Sequence, residues 1–249
     1  MMTDVEAFRA GFLEGRRVVV SGGTGGIGLA LAQGFAQAGA SVIATGSSRE
    51  RLGLAEKHTS DQLTFGLLDV RDNDAVTAFF RDMDRLDVLV NCQGVARPDA
   101  EWNEDTFLDV IDINLTSAMR LSRAAYPLLK ASQGSIINIA SMLSYLADET
   151  VPAYTASKTG IMGLTRALAH KYGQDGVRVN AIAPGYHRTE MTRALWSVPD
   201  SEANIAKRSA LKRWGTTADL VGPALFLSSS AAEFVTGVTL PVDGGYHVG

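Results

Sequence analysis

A chain of 249 residues with 46% hydrophobic content is long enough for one well-buried α/β domain and needs no covalent staples to hold a core. Its formal net charge of −4 and lack of long basic runs argue against nucleic acid or an anionic membrane as the main partner. A single cysteine, Cys92, excludes an internal disulfide framework and fits a reducing compartment.

Residues 1–14 read as a lead-in. The opening MMTDVEAFRAGFLEG carries early acids in place of the apolar core of a signal peptide. No apolar run approaches the ~20 residues that cross a bilayer. A cytoplasmic protein with no membrane partner is expected. With no internal repeat, linker or composition break, residues 1–249 are expected to form one domain.

Arg16 to Ser21 (RRVVVS) reads as a strand buried on both faces, because three valines follow one another without alternation. The loop GGTGGIG, Gly22 to Gly28, leads into LALAQGFAQAGA, which has helical periodicity. A strand, a glycine turn and a helix start are what a pyrophosphate site needs: glycines let backbone approach the phosphates, and the helix offers free N–H groups and a partial positive charge. Ala40 to Thr45 is the second predicted strand. An acid at its end would bind adenosine ribose hydroxyls, whereas small, hydroxyl-bearing or basic residues admit an extra phosphate. Gly46, Ser47, Ser48 and Arg49 stand there, which favours NADP(H) over NAD(H).

Leu63 to Val70 and Asp87 to Gly94 are predicted as strands three and four. Two helical patterns follow between Asp105 and Lys130, around Asn114. Ser135 to Ser141 (SIINIAS) is strand-like and ends on a hydroxyl. Tyr154 and Lys158 then stand four apart in a helical segment, so both side chains share one face. A phenol titrates near ~10, and an ammonium one turn away is expected to pull that value toward neutrality. Ser141, Tyr154 and Lys158 thus have the layout of a general acid/base for a carbonyl or an alcohol. Val177 to Gly185 is the sixth predicted strand, residues 190–213 a helical substrate lid, and the segment after Arg213 a helix, a last strand and a Gly-Gly turn. Four scattered histidines (His58, His170, His187, His247) lack ligand spacing, so no catalytic metal is expected. Cys92 is expected to be a packing residue.

The glycine loop and the Ser–Tyr–Lys set together resemble the short-chain dehydrogenase/reductase family in its single-domain form. SIINIASMLS, VPAYTASKTG, VNAIAPGY and the RWG…DL…GP segment look like its sugar-acid and polyol branch, more so than the first half of the chain does. The resemblance implies a Rossmann-like, doubly wound parallel sheet of about seven strands with helices on both faces. It implies cofactor contacts from Ser21 (in place of the usual threonine), Gly22, Thr24, Gly26, Ile27 and Gly28. Asp69 and Val70 would bracket the adenine, and Asn91 and Gly94 match an NNAG motif in which Cys92 and Gln93 depart. Pro184, Gly185, His187 and Thr189 match a segment that holds the nicotinamide, His187 through its backbone. Gly25 stands where phosphate-preferring relatives often carry arginine, which argues against NADP(H).

In the same resemblance Asn114 joins the catalytic set by anchoring a proton path, and Lys158 holds the cofactor ribose. A homo-oligomer, tetramer or dimer, is implied too. The expected activity is hydride transfer between NAD(P)(H) and a secondary alcohol or ketone, on a sugar, polyol or sugar acid. The alternatives are a 3-oxoacyl-carrier-protein reductase, against which the weakly charged LLKASQGS segment argues, and a catalytically silent cofactor sensor. Asp148 and Glu149 would repel a carboxylate substrate if they faced it.

Overall fold

The computed structural model describes residues 10–249, so most of the expected lead-in lies outside the described residues. Seven strands form one all-parallel sheet: β1 (Arg17–Ser21), β2 (Ser41–Gly46), β3 (Leu63–Leu67), β4 (Val88–Asn91), β5 (Ser135–Ile139), β6 (Arg178–Pro184) and β7 (Thr239–Val242). Their spatial order is β3-β2-β1-β4-β5-β6-β7. Chain direction across the sheet therefore reverses between β1 and β4, and a crevice forms at the carboxyl ends of those two strands.

The valine run of β1 explains the layering. Val18 and Val20 point into one core with Leu31 and Phe35, while Val19 points into the opposite core with Leu89 and Ile136. All three valines are fully buried. Helices α1 (Gly26–Gln37) and α9 (Val221–Ser228) cover the first face. Helices α3 (Asn73–Arg81), α5 (Ser117–Ser132) and α6 (Pro152–Tyr172) cover the second. Each fully buried Leu, Ile or Phe contributes about 1.5–3 kcal/mol relative to exposure. The short α2 (Arg49–Ala55) follows β2, and α4 (Glu104–Ile111) runs into α5 through a π-helical turn, Asp112–Thr116. Helices α7 (Arg193–Trp196) and α8 (Pro199–Arg208) occupy the segment expected as a lid. Among the described residues, no helix is long and apolar enough to cross a membrane.

Three expected strands end earlier than their sequence suggests. Asp69 and Val70 lie past the end of β3, Cys92 to Gly94 past β4, and Ala140 and Ser141 past β5. The polar and glycine positions at these ends leave the ladder and become the loops of the crevice.

Candidate active site

The glycine loop folds directly onto the end of β4. Gly22 adopts φ +76°, and a Cβ there would sit 2.5 Å from Gln93 N, so only glycine fits. A Cβ at Gly28 would meet Gly22 O at 2.1 Å, which seats α1 tightly on its own loop. Helix α1 opens on Gly25 with no side-chain cap and no acid in its first turn. Its unpaired N–H groups and positive dipole end therefore face open space: nothing lies within 4 Å of a Cβ built on Gly25, and only Thr189 approaches one on Gly26, at 3.9 Å. This cradle fits the pyrophosphate of a dinucleotide. Thr24 and Ile27 are half-buried in the same loop, and Ser21 beneath it is fully buried with a hydroxyl that makes no hydrogen bond among the described residues.

At the end of β2, Gly46 lies against Thr24, and a Cβ there would come within 2.4 Å of Thr24 Oγ1. Ser48 Oγ accepts the Arg51 N–H at 3.3 Å and caps α2, while Ser47 and Arg49 are exposed. Past β3, Val70 is buried and Asp69 accepts three bonds from Arg71, two from the guanidinium at 2.7 and 3.0 Å and one from the backbone N–H at 3.0 Å. The Arg71 guanidinium holds the Asp69 carboxyl below the usual carboxylate range.

At and past the end of β4 the structure departs from simple expectation. Asn91 turns its amide into the core, donating to Asn138 Oδ1 at 2.8 Å and Ser122 Oγ at 3.2 Å. Cys92 packs against the β1-side core, and burial pushes its thiol up to about 12, which leaves it inert. Gln93 donates to Ser117 Oγ at 2.8 Å, and Ser117 Oγ donates to Ile113 O at 2.6 Å. Gln93, one of the two departures from the NNAG motif, therefore supports the π-helical turn next door. Such turns interrupt the α ladder and recur at functional sites. Here the turn carries Asn114, whose side chain clasps Val95: Oδ1 accepts Val95 N–H at 2.8 Å, and Nδ2 donates to Val95 O at 2.9 Å and Ser157 Oγ at 3.1 Å.

Gly94 is the point where the parts meet. A Cβ on it would lie 3.4 Å from Lys158 Nζ and 3.6 Å from Asn114 Oδ1. Lys158 is buried on α6 and donates to Ile139 O at 2.7 Å. Its Nζ lies 5.6 Å from the centre of the Tyr154 ring. Ser141 caps the short turn Met142–Ser144, its Oγ accepting Leu143 N–H at 3.1 Å. Ser144 Oγ accepts Ser141 N–H at 3.3 Å and donates to Lys158 O at 2.7 Å, so the Ser141 turn is pinned to α6.

The expected electrostatics need a correction. Tyr154 is not drawn toward neutrality: burial pushes its phenol above the usual range, Cys92 and Glu101 push the same way, and the Ser141 hydroxyl opposes them. Burial also lowers Lys158 to about 8. Taking both groups out of water outweighs the favourable charge that spacing alone suggested.

Beyond β6, Pro184 ends the strand and Gly185 N–H donates to Val242 O at 3.1 Å. The buried His187 ring sits against Gly215, with Nδ1 3.1 Å from Gly185 O, and burial lowers its pKa. It lines a cavity of about 150 Å³ with Arg213, Asp219 and Asp243, to which Ser141, Tyr154 and Lys158 contribute nothing. Thr189 is held by Thr192, whose Oγ1 receives Thr189 N–H at 3.1 Å and donates to His187 O at 2.7 Å. Trp196 Nε1 donates to Thr189 O at 2.9 Å. Asp148 spends Oδ1 on the Thr150 N–H and hydroxyl, at 3.0 and 2.8 Å.

Sequence reasoning missed Glu101, which is fully buried and accepts Tyr154 N–H at 2.8 Å and Arg97 N–H at 2.8 Å. It also missed Thr192 and the Gln93–Ser117 pair. Only their positions next to matched motifs could have drawn attention to them.

A parallel sheet with a glycine cradle beside a Ser–Tyr–Lys set is the plan of a nicotinamide-dependent oxidoreductase. Residues 22–247 match a family model described as Enoyl-(Acyl carrier protein) reductase, and the chain belongs to the short-chain dehydrogenase/reductase family. It is similar to 2-dehydro-3-deoxy-D-gluconate 5-dehydrogenase of Escherichia coli (strain K12), with 39% identity over 244 residues covering 94% of this chain and 96% of that one. It is 37% identical over 246 residues to gluconate 5-dehydrogenase of Gluconobacter oxydans (strain 621H), covering 95% and 96%. The crystal structure of a gluconate 5-dehydrogenase from Burkholderia cenocepacia J2315 in complex with NADP and tartrate has a TM-score of 0.88 and 34% identity, covering 95% of this chain and 97% of that one. The likeness thus spans nearly the whole chain and is not confined to its second half.

Proposed function

We propose that this oxidoreductase interconverts a hydroxyl and a keto group on a gluconate-type sugar acid, with NADP(H) as its cofactor. The observation that carries the reading is the meeting of Lys158, Asn114 and Gly94 beside Tyr154, next to a cradle open at the start of α1. The relatives' names and the NADP-bound neighbour point to the same chemistry.

In this reading Gly22, Thr24, Gly26, Ile27 and Gly28, with Ser21 beneath them, would hold the pyrophosphate. Ser47, Ser48 and Arg49, with Gly46, would take the adenosine phosphate. Asp69 and Val70 would hold the adenine, Asn91 and Gly94 would shape the floor, and Lys158 would hold a ribose hydroxyl. Pro184, Gly185, His187 and Thr189 would hold the carboxamide. The bound nicotinamide supplies the two-electron donor or acceptor.

The chain's own groups manage the proton. Ser141 Oγ accepts Leu143 N–H, so its own proton is free to be donated to the substrate oxygen as charge develops there. Tyr154, held as a phenol, donates its proton to that oxygen in ketone reduction and removes one, as phenolate, in alcohol oxidation. Asn114 holds the Val95 strap beside Lys158 and keeps the proton route from Lys158 to solvent in register. Residues 190–213 act as the lid, with Met191 and Val198 exposed on it. The same reading makes the protein a cytoplasmic homo-oligomer, tetramer or dimer, with Trp102 and Leu108 exposed for contact near and on α4. Light scattering tests that assembly.

An absorbance assay with both cofactors, against gluconate, 5-keto-gluconate, polyols and acyl thioesters, tests the function. NADP-linked turnover of the sugar acids is expected. Turnover of acyl thioesters alone would instead make this a carrier-protein reductase, and cofactor binding without turnover of any of them would make it a sensor.

A further inference from the structure

Helix α6, which carries Tyr154 and Lys158, begins without a cap of its own. Val151 stands at its N-cap and makes no side-chain bond, Pro152 follows, and the first turn holds no acid. The Tyr154 N–H would be one of the orphan donors of that turn. It is met from 53 residues away, by Glu101 Oε2 at 2.8 Å. The other oxygen, Oε1, accepts Arg97 N–H at 2.8 Å. Glu101 is fully buried, and no cation pairs with it among the described residues. Its neighbours are the two N–H groups and the positive end of α6, which together offset the cost of burying the carboxylate. Arg97 lies two residues beyond Val95, which Asn114 clasps. One carboxylate therefore ties the start of the catalytic helix to the strap that runs past Gly94.

We propose that Glu101 is a positioning residue for Tyr154, setting where the phenol stands relative to Lys158 and Gly94 by capping α6 through the Tyr154 backbone. This rests on the reading of Tyr154 as the acid/base. Glu101 does not touch the reacting atoms. The ionisable groups facing the phenol are Cys92 from the end of β4, Lys158 one turn along α6, and Glu101 from the turn Ala100–Trp102, with the Ser141 hydroxyl beside them. Glu101 thus fixes the helix at some expense to phenol acidity, because its charge disfavours the phenolate.

Two variants separate the geometric role from the charge. Glu101→Gln keeps the size and removes the charge; Glu101→Asp keeps the charge but is one methylene too short to span both N–H groups. Both are expected to lower kcat roughly tenfold with KM little changed, as misplacement of a catalytic group does. Only Glu101→Gln is expected to move the Tyr154 limb of the pH–rate profile, and to lower pH: a more acidic phenol brings forward both the rise of alcohol oxidation and the loss of ketone reduction. Equal limb shifts in both variants, or kcat within twofold of the parent in both, would overturn the proposal. Amide hydrogen exchange over residues 152–158, measured on the full chain with no substrate, is expected to speed up in both variants. Unchanged exchange overturns the capping role even if the substrate reading fails, and so keeps the two failures apart.

Discussion

Lys158 Nζ lies 5.6 Å from the centre of the Tyr154 ring and donates a hydrogen bond to Ile139 O at 2.7 Å. The ammonium is thus anchored to the end of the sheet, and the phenol is placed against it by the helix. Burial acts on both partners in the direction of neutrality, raising the phenol and lowering the lysine to about 8.

A pH dependence follows. With its pKa raised, Tyr154 stays protonated through neutral pH, the form that gives a proton to a ketone. Reduction should hold steady across neutrality, whereas oxidation, which needs the phenolate, should climb as the pH rises. Lys158 loses its charge above about 8, so this climb should flatten there. Initial rates in both directions over a pH series check this; an oxidation rate that is independent of pH would contradict it.

Asn114→Ala should strand the Val95 N–H and C=O that the side chain now pairs. An unsatisfied buried group costs about 1–3 kcal/mol, so a lower urea midpoint is expected with a fall in kcat of at least about tenfold. Activity equal to the parent's in a folded variant would show that the clasp does not serve the site.

In the proposed reading Gly46 stands where cofactor preference is set, and Thr24 crowds that position. An acid at position 46 would favour NAD(H), but a Cβ there approaches Thr24 Oγ1 to 2.4 Å. Gly46→Asp alone should weaken both cofactors, and Gly46→Asp combined with Thr24→Gly should shift the ratio of kcat/KM values toward NAD(H) by at least about tenfold. A complete switch by Gly46→Asp alone would remove Thr24 from the account.

At the opposite end of the sheet, Asp87 is buried before β4 and accepts bonds from Arg85, Arg16 and the Arg17 N–H, each at 2.8 Å. Burial pushes its pKa up, but these donors together hold it below the usual range. Its folded pKa is therefore depressed: the stabilisation is full above the unfolded carboxylate value and is lost as pH falls through the folded one. Asp87→Asn should cost about 1.5–3 kcal/mol at neutral pH, the worth of hydrogen bonds to a charged group, because the half-exposed Arg16 and Arg85 left behind stay hydrated, and should make stability less sensitive to acid. Urea melts at neutral and acidic pH check both points.

Much of this molecule is legible from residue order because its signals are local. The unbroken valines of β1 announce a strand covered on both faces, and Gly22 to Gly28 announces a turn that only glycine can make. Tyr154 and Lys158 share a helical face by spacing alone. What spacing cannot show is burial, and burial reverses the expected shift of the phenol. Nor could it show the Glu101 cap, because the N–H that the carboxylate meets lies 53 residues along the chain. The turn at Asn114 was equally hidden, because its support comes from Gln93 and Ser117, and Gln93 looked like a mere departure from a motif. The polar ends of β3, β4 and β5 read as strand but leave the ladder to line the crevice.

The central claim is that Tyr154 shuttles the proton beside a dinucleotide cradle. Its most direct test is Tyr154→Phe, assayed for NADP-linked turnover and, in parallel, for NADPH binding by fluorescence. The account predicts a loss of at least ~10²-fold in kcat with cofactor affinity close to the parent's. Near-parental turnover in that variant would contradict it.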